Sequence, residues 1–163
     1  MSLMARFHLT AARVAMLIPG RADALARAEL LPAVESATLL LHRTVSEKTP
    51  VGATHVARGS IQSSVETVRG RVTTFRGTVM SAAPHILPLE HGSRPHWAPI
   101  SPLKRWARVK LGNERLAYAV QWAIARKGTQ GAHMFRDAHA EQKPKIQRIL
   151  EQAVERWRRR IGK

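Results

Sequence analysis

The chain contains no cysteine, which removes disulfides, thiol nucleophiles and cysteine-based zinc sites together and leaves packing to hold the fold. Aspartate is nearly as scarce, Asp23 and Asp137 being the only two. A metal-dependent nuclease needs clustered carboxylates to hold Mg²⁺, and here the glutamates are scattered along the chain. Long apolar runs are missing as well. The stretch from Ala11 to Ile18 is interrupted by Arg13 and stops at Pro19-Gly20, well short of the roughly 18 to 20 apolar residues that a membrane-crossing helix requires. The short apolar patch after Arg6 leads into no small-residue cleavage site, so a cytosolic product with no membrane partner is expected.

Positive charge is what the sequence has in excess. Over 163 residues, 27 Lys and Arg stand against 11 Asp and Glu, a formal charge of +16. Such a chain repels its own copies and attracts polyanions. Nucleic acid and the acidic faces of neighbouring protein subunits both meet that demand. Hydrophobic residues form 44% of the chain and are spread along it, which suits one folded domain over residues 1–163.

Arg6 to Thr10 reads as a short strand, with Pro19-Gly20 as punctuation after it. From there Leu25, Ala28, Leu31, Val34, Ala37, Leu41 and Val45 recur at three- and four-residue spacing, predicting a helix over Arg21 to Lys48 with one buried stripe. Pro32 removes a backbone donor inside it, so the helix either bends there or divides in two. Thr49-Pro50-Val51-Gly52 ends it. Ile61 to Val68 and Arg71 to Met80 alternate in β-favouring residues around Arg69-Gly70, predicting an antiparallel hairpin. Five of the nine prolines fall between Pro84 and Pro102, predicting a loop without regular structure. Ser101-Pro102 then reads as an N-cap and first helical residue, opening a short helix through Leu103, Trp106, Ala107 and Lys110 to Gly112. Leu116, Val120, Ala123 and Ile124 mark a further helix closed by Lys127-Gly128. A last amphipathic helix carries Ile146, Ile149, Leu150, Ala153, Val154, Trp157 and Ile161 on one face. The expected class is α+β: a small antiparallel sheet packed against a long N-terminal helix and a C-terminal amphipathic helix, with a proline-rich loop.

The order of several short motifs resembles the tail-component or tail-completion proteins of long-tailed bacteriophages, a family found between head connector and tail tube. The first motif is Thr49-Pro50-Val51-Gly52 followed by Arg58-Gly59-Ser60-Ile61, similar to the family's TPV-(D/G)-TG-x-L-x-x-SI; Ala53 is an extra residue and His55 stands where the pattern has glycine. The second is Leu89-Glu90-His91-Gly92-Ser93-Arg94-Pro95, similar to the family's E-x-GT-x-P with Ser93 for threonine. The third runs through Leu103, Trp106 and Lys110-Leu111-Gly112, then Ala125-Arg126-Lys127-Gly128-Thr129-Gln130-Gly131, then Met134-Phe135 and Ala138 ahead of the closing helix. The resemblance spans most of the chain. It implies a structural virion protein without enzymatic activity, made in the host cytoplasm. It further implies assembly as a ring, six-fold, at the head-proximal end of the tail, next to neck, connector or tail-tube proteins. Tail completion and head–tail joining come first, a tail terminator second, and a basic DNA-binding protein is the alternative from charge alone.

Glu90 and His91 have the residue types of a catalytic acid and base, and His85, His91 and His96 those of metal ligands. One glutamate in the loop does not complete a metal set, and no cofactor is expected. Glu90 is better suited to accept hydrogen bonds from backbone N–H groups of its own loop, or to pair with an arginine of a neighbouring subunit. Gly128-Thr129-Gln130-Gly131 lacks the Gly-Lys-Ser/Thr ending of a phosphate loop and reads as a helix C-cap and turn. Trp106, Trp122 and Trp157 fall on apolar stripes, whereas Trp97 sits in the loop and is the candidate inter-subunit contact. Arg94 accompanies it. The basic cluster Arg156, Arg158, Arg159, Arg160 and Lys163 complements the last helix's dipole and is a candidate for an acidic face of the next ring or for DNA in a channel.

Overall fold

A computed structural model describes residues 21–52, 55–68 and 73–162, and the strand expected over Arg6 to Thr10 lies outside them. Six helices and four strands follow in the order α1 (Arg21–Lys48), α2 (Val56–Gly59), β1 (Ile61–Val68), β2 (Thr74–Ser81), α3 (Ile86–His91), β3 (Gly92–Ser93), α4 (Ile100–Leu111), α5 (Leu116–Lys127), β4 (Thr129–Gln130) and α6 (Met134–Ile161). The architecture is the α+β class that the residue patterns predict.

The two long helices, α1 and α6, have 28 residues each, about 42 Å at 1.5 Å per residue. They run antiparallel and are clasped at both ends. Glu29, near the start of α1, meets Arg156 at 3.1 Å and Arg160 at 2.8 Å near the end of α6, and Lys48 meets Glu141 at 2.9 Å at the opposite end. Each helix contains a proline, Pro32 in α1 and Pro144 in α6. Both are exposed, as are Ala28 and Ala140 four residues before them, so the carbonyl that each proline leaves without a helical donor is open to water. α1 therefore continues through Pro32 as one helix rather than dividing.

β1 and β2 form the expected hairpin, in register from Ile61↔Ser81 to Val68↔Thr74. β2 is the buried strand, with Phe75, Gly77, Val79 and Ser81 all buried, on the period of two that turns one face inward. β1 is mostly exposed beyond Ile61. Among the described residues this sheet has two strands only, so each keeps an unpaired outer edge. The core joins Ala37, Leu41 and Val45 of α1 to Ile61, Val79, Ile86, Met134, Phe135, Ala138 and Ile146.

The first turn of the sequence-predicted α1 stripe does not reach this core, Ala28 being exposed; burial begins at Ala33. On the same face three threonines turn their hydroxyls back onto the helix, Thr38 to the Val34 carbonyl at 2.7 Å, Thr44 to Leu40 at 3.0 Å and Thr49 to Val45 at 2.6 Å. Their polar atoms are thereby satisfied inside the interface. Gly77 lies beneath Thr38, and a Cβ there would collide with the threonine hydroxyl.

The segment from Pro84 to Pro102 is more regular than its prolines suggest. It holds α3, β3 and the start of α4. Pro88 is the third residue of α3, ahead of Leu89, whose N–H makes the first needed bond, to the His85 carbonyl at 3.2 Å. Pro102 is likewise the third residue of α4, which starts at Ile100 with Pro99 as N-cap. Ser101 is thus inside the helix and not its cap. Prolines in a first turn remove N–H groups that have no helical acceptor in any case. α6 also begins earlier than the Ile146 stripe marks it, so Met134, Phe135 and Ala138 belong to the helix itself.

Two outcomes test this packing. Gly77→Ala should destabilise the protein by about 1–3 kcal/mol through overpacking, and Thr38→Ala added to it should restore part of the loss in chemical denaturation. The Lys48 ammonium, by hydrogen bond and by charge, holds Glu141 below its ordinary carboxylate range. Its contribution is therefore complete above the unfolded value and fades as pH falls through the lowered one, so the drop in Tm from about pH 6 to about pH 3 should be smaller in Glu141→Gln than in the parent.

Candidate functional site

Two short segments, separated by the whole of α4 and α5, meet in the smaller of the two sheets among the described residues. β3 pairs antiparallel with β4, Gly92↔Gln130 and Ser93↔Thr129, and the Ser93 and Thr129 hydroxyls share a hydrogen bond of 2.9 Å. Glycine makes the approach possible. Gly92 and Gly128 have φ of 81° and 72°, in the left-handed region that side chains disfavour. A Cβ at either would strike the opposing backbone, and one at Gly131 would strike the Glu90 carbonyl. Gly128 closes α5 as expected, its N–H bonding the Ile124 carbonyl at 2.8 Å, but Thr129-Gln130 continue as a strand and not a turn.

Glu90 lies in the last turn of α3, 4% exposed. Its carboxylate accepts the N–H groups of Phe135 at 2.9 Å and Arg136 at 3.1 Å, the first turn of α6. His133, the N-cap residue of that helix, has φ of 50° and offers no side-chain bond. Glu90 therefore caps α6 from a distant point of the chain, where its charge also opposes the positive end of the helix dipole. Backbone bonds from Ala132 to Leu89 (2.7 Å) and from His133 to Glu90 (3.1 Å) extend the junction. Backbone donors are the partners expected of Glu90, though they come from α6 and not its own loop. A carboxylate so enclosed has no surface to offer an arginine of another subunit.

Everything between β3 and β4 is an excursion whose base this junction clamps. α4 and α5 pack chiefly on each other. The loop before α4 is tied to α5 by the Gln121 amide donating to the Ala98 carbonyl at 2.8 Å and by the His96 N–H to the Ile124 carbonyl at 3.4 Å. Ala107 and Ala117 are buried, and Trp106 is half-buried, lining a cleft with Pro50, Val56 and Leu89.

The outside of the hairpin is aromatic and basic. Trp97 is 61% exposed and Trp122 59%, and their rings meet edge to face with centroids 5.2 Å apart. Trp97 lies on the surface, as its loop position predicts. Trp122, placed by its spacing on an apolar stripe, is on the surface and not in the core, and Leu116 and Ala123 of the α5 stripe are exposed too. Tyr118, 51% exposed, lies one turn before Trp122 with the Lys104 ammonium 5.4 Å from its ring centroid. Arg94 is exposed beside β3.

The C-terminal basic cluster is largely engaged within the chain. Arg156 and Arg160 hold Glu29, Arg159 pairs with Glu155 at 3.0 Å, and Arg158 alone lacks a carboxylate partner among the described residues. Trp157 is buried beneath them.

Among the described residues no three His, Asp or Glu side chains converge as a metal set. His96 turns its Nδ1 to the Arg94 carbonyl at 2.9 Å. Compared with family models, with curated proteins and with solved structures, the chain shows no match.

Tyr118, which is exposed, and Lys104, which is half-buried, are the residues of this face that sequence reasoning missed. Their signal was present in the i, i+4 spacing of Tyr118 and Trp122 and of Trp122 and Arg126, which sets an aromatic stripe between basic residues on one helix face. Glu29 carries no comparable signal, because its partners lie in α6.

Glu90→Ala leaves buried N–H groups of α6 without an acceptor and should lower stability by about 2–4 kcal/mol. Glu90→Gln keeps a carbonyl acceptor but not the charge and should lose about half as much. Thermal denaturation of both variants checks the order.

Proposed function

We propose that this chain is a structural subunit of a bacteriophage neck or tail, assembling as a ring at the head-proximal end of the tail and taking part in tail completion and head–tail joining. One observation carries the reading. The second motif that resembles the tail-completion family and the later part of the third are separated by α4 and α5 and yet form a single junction: Gly92 and Ser93 pair with Gln130 and Thr129, and Glu90 caps the helix that opens with Met134-Phe135.

Two further features support assembly. The β1–β2 hairpin has open edges among the described residues, a ready template for pairing with another copy. Large apolar side chains are also exposed on α1, α2 and α3, Leu39 at 62%, Val56 at 54% and Leu87 at 42%. Copies with a charge of +16 repel one another, and salt screens that repulsion over about 10 Å at 0.1 M. Association between copies should therefore strengthen as ionic strength rises.

Sedimentation of the purified protein across a salt series, with electron microscopy of the heavier species and of virions or tail-like particles, tests the proposal. Rings of one size, favoured by salt and present in particles, are expected. A solitary monomer at all salt concentrations, absent from particles, would end it.

A further inference from the structure

We infer that the outer face of the α4–α5 hairpin is a docking surface for an unlike protein, one that presents an apolar pocket rimmed by carboxylates. The inference deepens the ring reading by naming the partner of one face, and it reassigns Trp97 from a contact between copies to a contact with that different molecule. It rests on exposure and charge at this face.

The face is organised. Arg115, Tyr118, Trp122 and Arg126 follow at intervals of three, four and four residues along α5 and so share one side of it. Trp97 packs on Trp122, and Lys104 reaches Tyr118 from α4. Trp, Tyr and Arg are the side chains that most often dominate binding energy at protein interfaces. Three large aromatics exposed together, two on α5 and one in the loop before α4, depart from an ordinary solvated surface.

The charge then selects the occupant. Residues 94–127 contain eight Lys or Arg and one acidic residue, Glu114, which Arg108 already holds. Two such faces cannot meet each other without strong repulsion. Nor does a second copy offer a concentrated negative face among the described residues. Glu29, Glu47, Glu114, Asp137, Glu141 and Glu155 are engaged by arginine or lysine within the chain, and Glu90 is buried under α6. Among the side chains whose burial is described, Glu35, Glu66 and Glu151 remain as exposed carboxylates without a cationic partner, and they lie on three different elements.

Nucleic acid would meet the charge but not the rest of the surface. Val109 (58% exposed), Leu111 (46%) and Leu116 (42%) flank the turn of the hairpin, and aliphatic side chains gain from an apolar pocket and not from phosphate. The two tryptophans are inclined at 72° to each other, so they form a ridge that fits a protein pocket and no parallel platform for successive bases.

The test uses the whole protein and a synthetic amphipathic helical peptide with Glu on one face and Leu and Phe on the other. A second peptide keeps Glu but has Ser for Leu and Phe, and an oligothymidine strand serves as the nucleic-acid probe. Binding is followed by tryptophan fluorescence and calorimetry. The apolar acidic peptide should bind with a blue shift and weaken as salt increases, opposite to the salt response expected of contacts between copies. It should lose about tenfold or more in affinity to the Tyr118→Ala/Trp122→Ala variant, which circular dichroism should show to be folded because both side chains are exposed. The Ser peptide should bind at least as weakly. Equal peptide affinity for parent and variant would overturn the inference, as would an oligothymidine affinity that exceeds the peptide's and is lost with the aromatics. Rings that form from the parent but not from the variant would overturn it too, by placing another copy on this face. Rings from both leave the ring reading intact whatever the peptide result, and rings from neither end that reading alone.

Discussion

The N-terminus of α6 is held by a carboxylate that belongs to another helix. Without Glu90 the first turn of a 28-residue helix would present N–H groups to a buried region, and His133 has no side-chain bond with which to replace it. Because Glu90 immediately precedes His91 and Gly92, the cap also fixes where β3 begins. β3 fixes β4, and the glycines at 92, 128 and 131 allow these backbones to approach closely enough for both constraints to hold at once. A junction made of backbone pairing and one capping carboxylate thus sets the relation between the long helices and the α4–α5 hairpin.

The division of labour follows from that junction. α1, the β1–β2 hairpin, α3 and α6 share the core, with ion pairs at both ends of the α1–α6 pair. Exposed ion pairs of this kind contribute little each, so the apolar stripe carries most of the stability and the pairs fix the alignment of the helices. α4 and α5 pack mainly on each other, and their attachment is at the base. Side chains on the outer face of the hairpin consequently have few duties toward the core, which leaves them available for contact with another molecule.

Much of this was legible in the residues, for identifiable reasons. α1, the hairpin and the far half of α6 repeat a simple period over many residues, and their bounds or faces agree with that period. Pro84 to Pro102 is more regular than expected because the effect of proline depends on its position and not on its density. Pro88 and Pro102 each stand third in a helix, where no hydrogen bond is lost. The α5 stripe was misjudged because a short helix packed on one neighbour buries small residues, here Ala117, and can leave Leu116 and Trp122 outside. Glu90 was read correctly as an acceptor of backbone N–H groups, but its donors lie some forty-five residues onward, and no local pattern encodes such a pairing. The arginines of the C-terminal cluster were legible as charge, whereas their engagement by Glu29 required the helices to be set side by side.

Positive charge and exposed aromatics, which at first look like separate oddities, constrain each other. An apolar ridge such as Trp97, Trp122 and Tyr118 would drive copies together through the hydrophobic effect if its surroundings were neutral. Ringing it with Lys104, Arg115 and Arg126 makes that encounter repulsive while leaving an encounter with a carboxylate-rimmed pocket attractive, so the same charges that oppose one association favour the other. The intramolecular pairing of most acidic groups completes the device, because it withholds from each copy the negative surface with which it could capture the next copy's hairpin. An excess of +16 is on this view less a sign of affinity for polyanions in general than a means of choosing among partners.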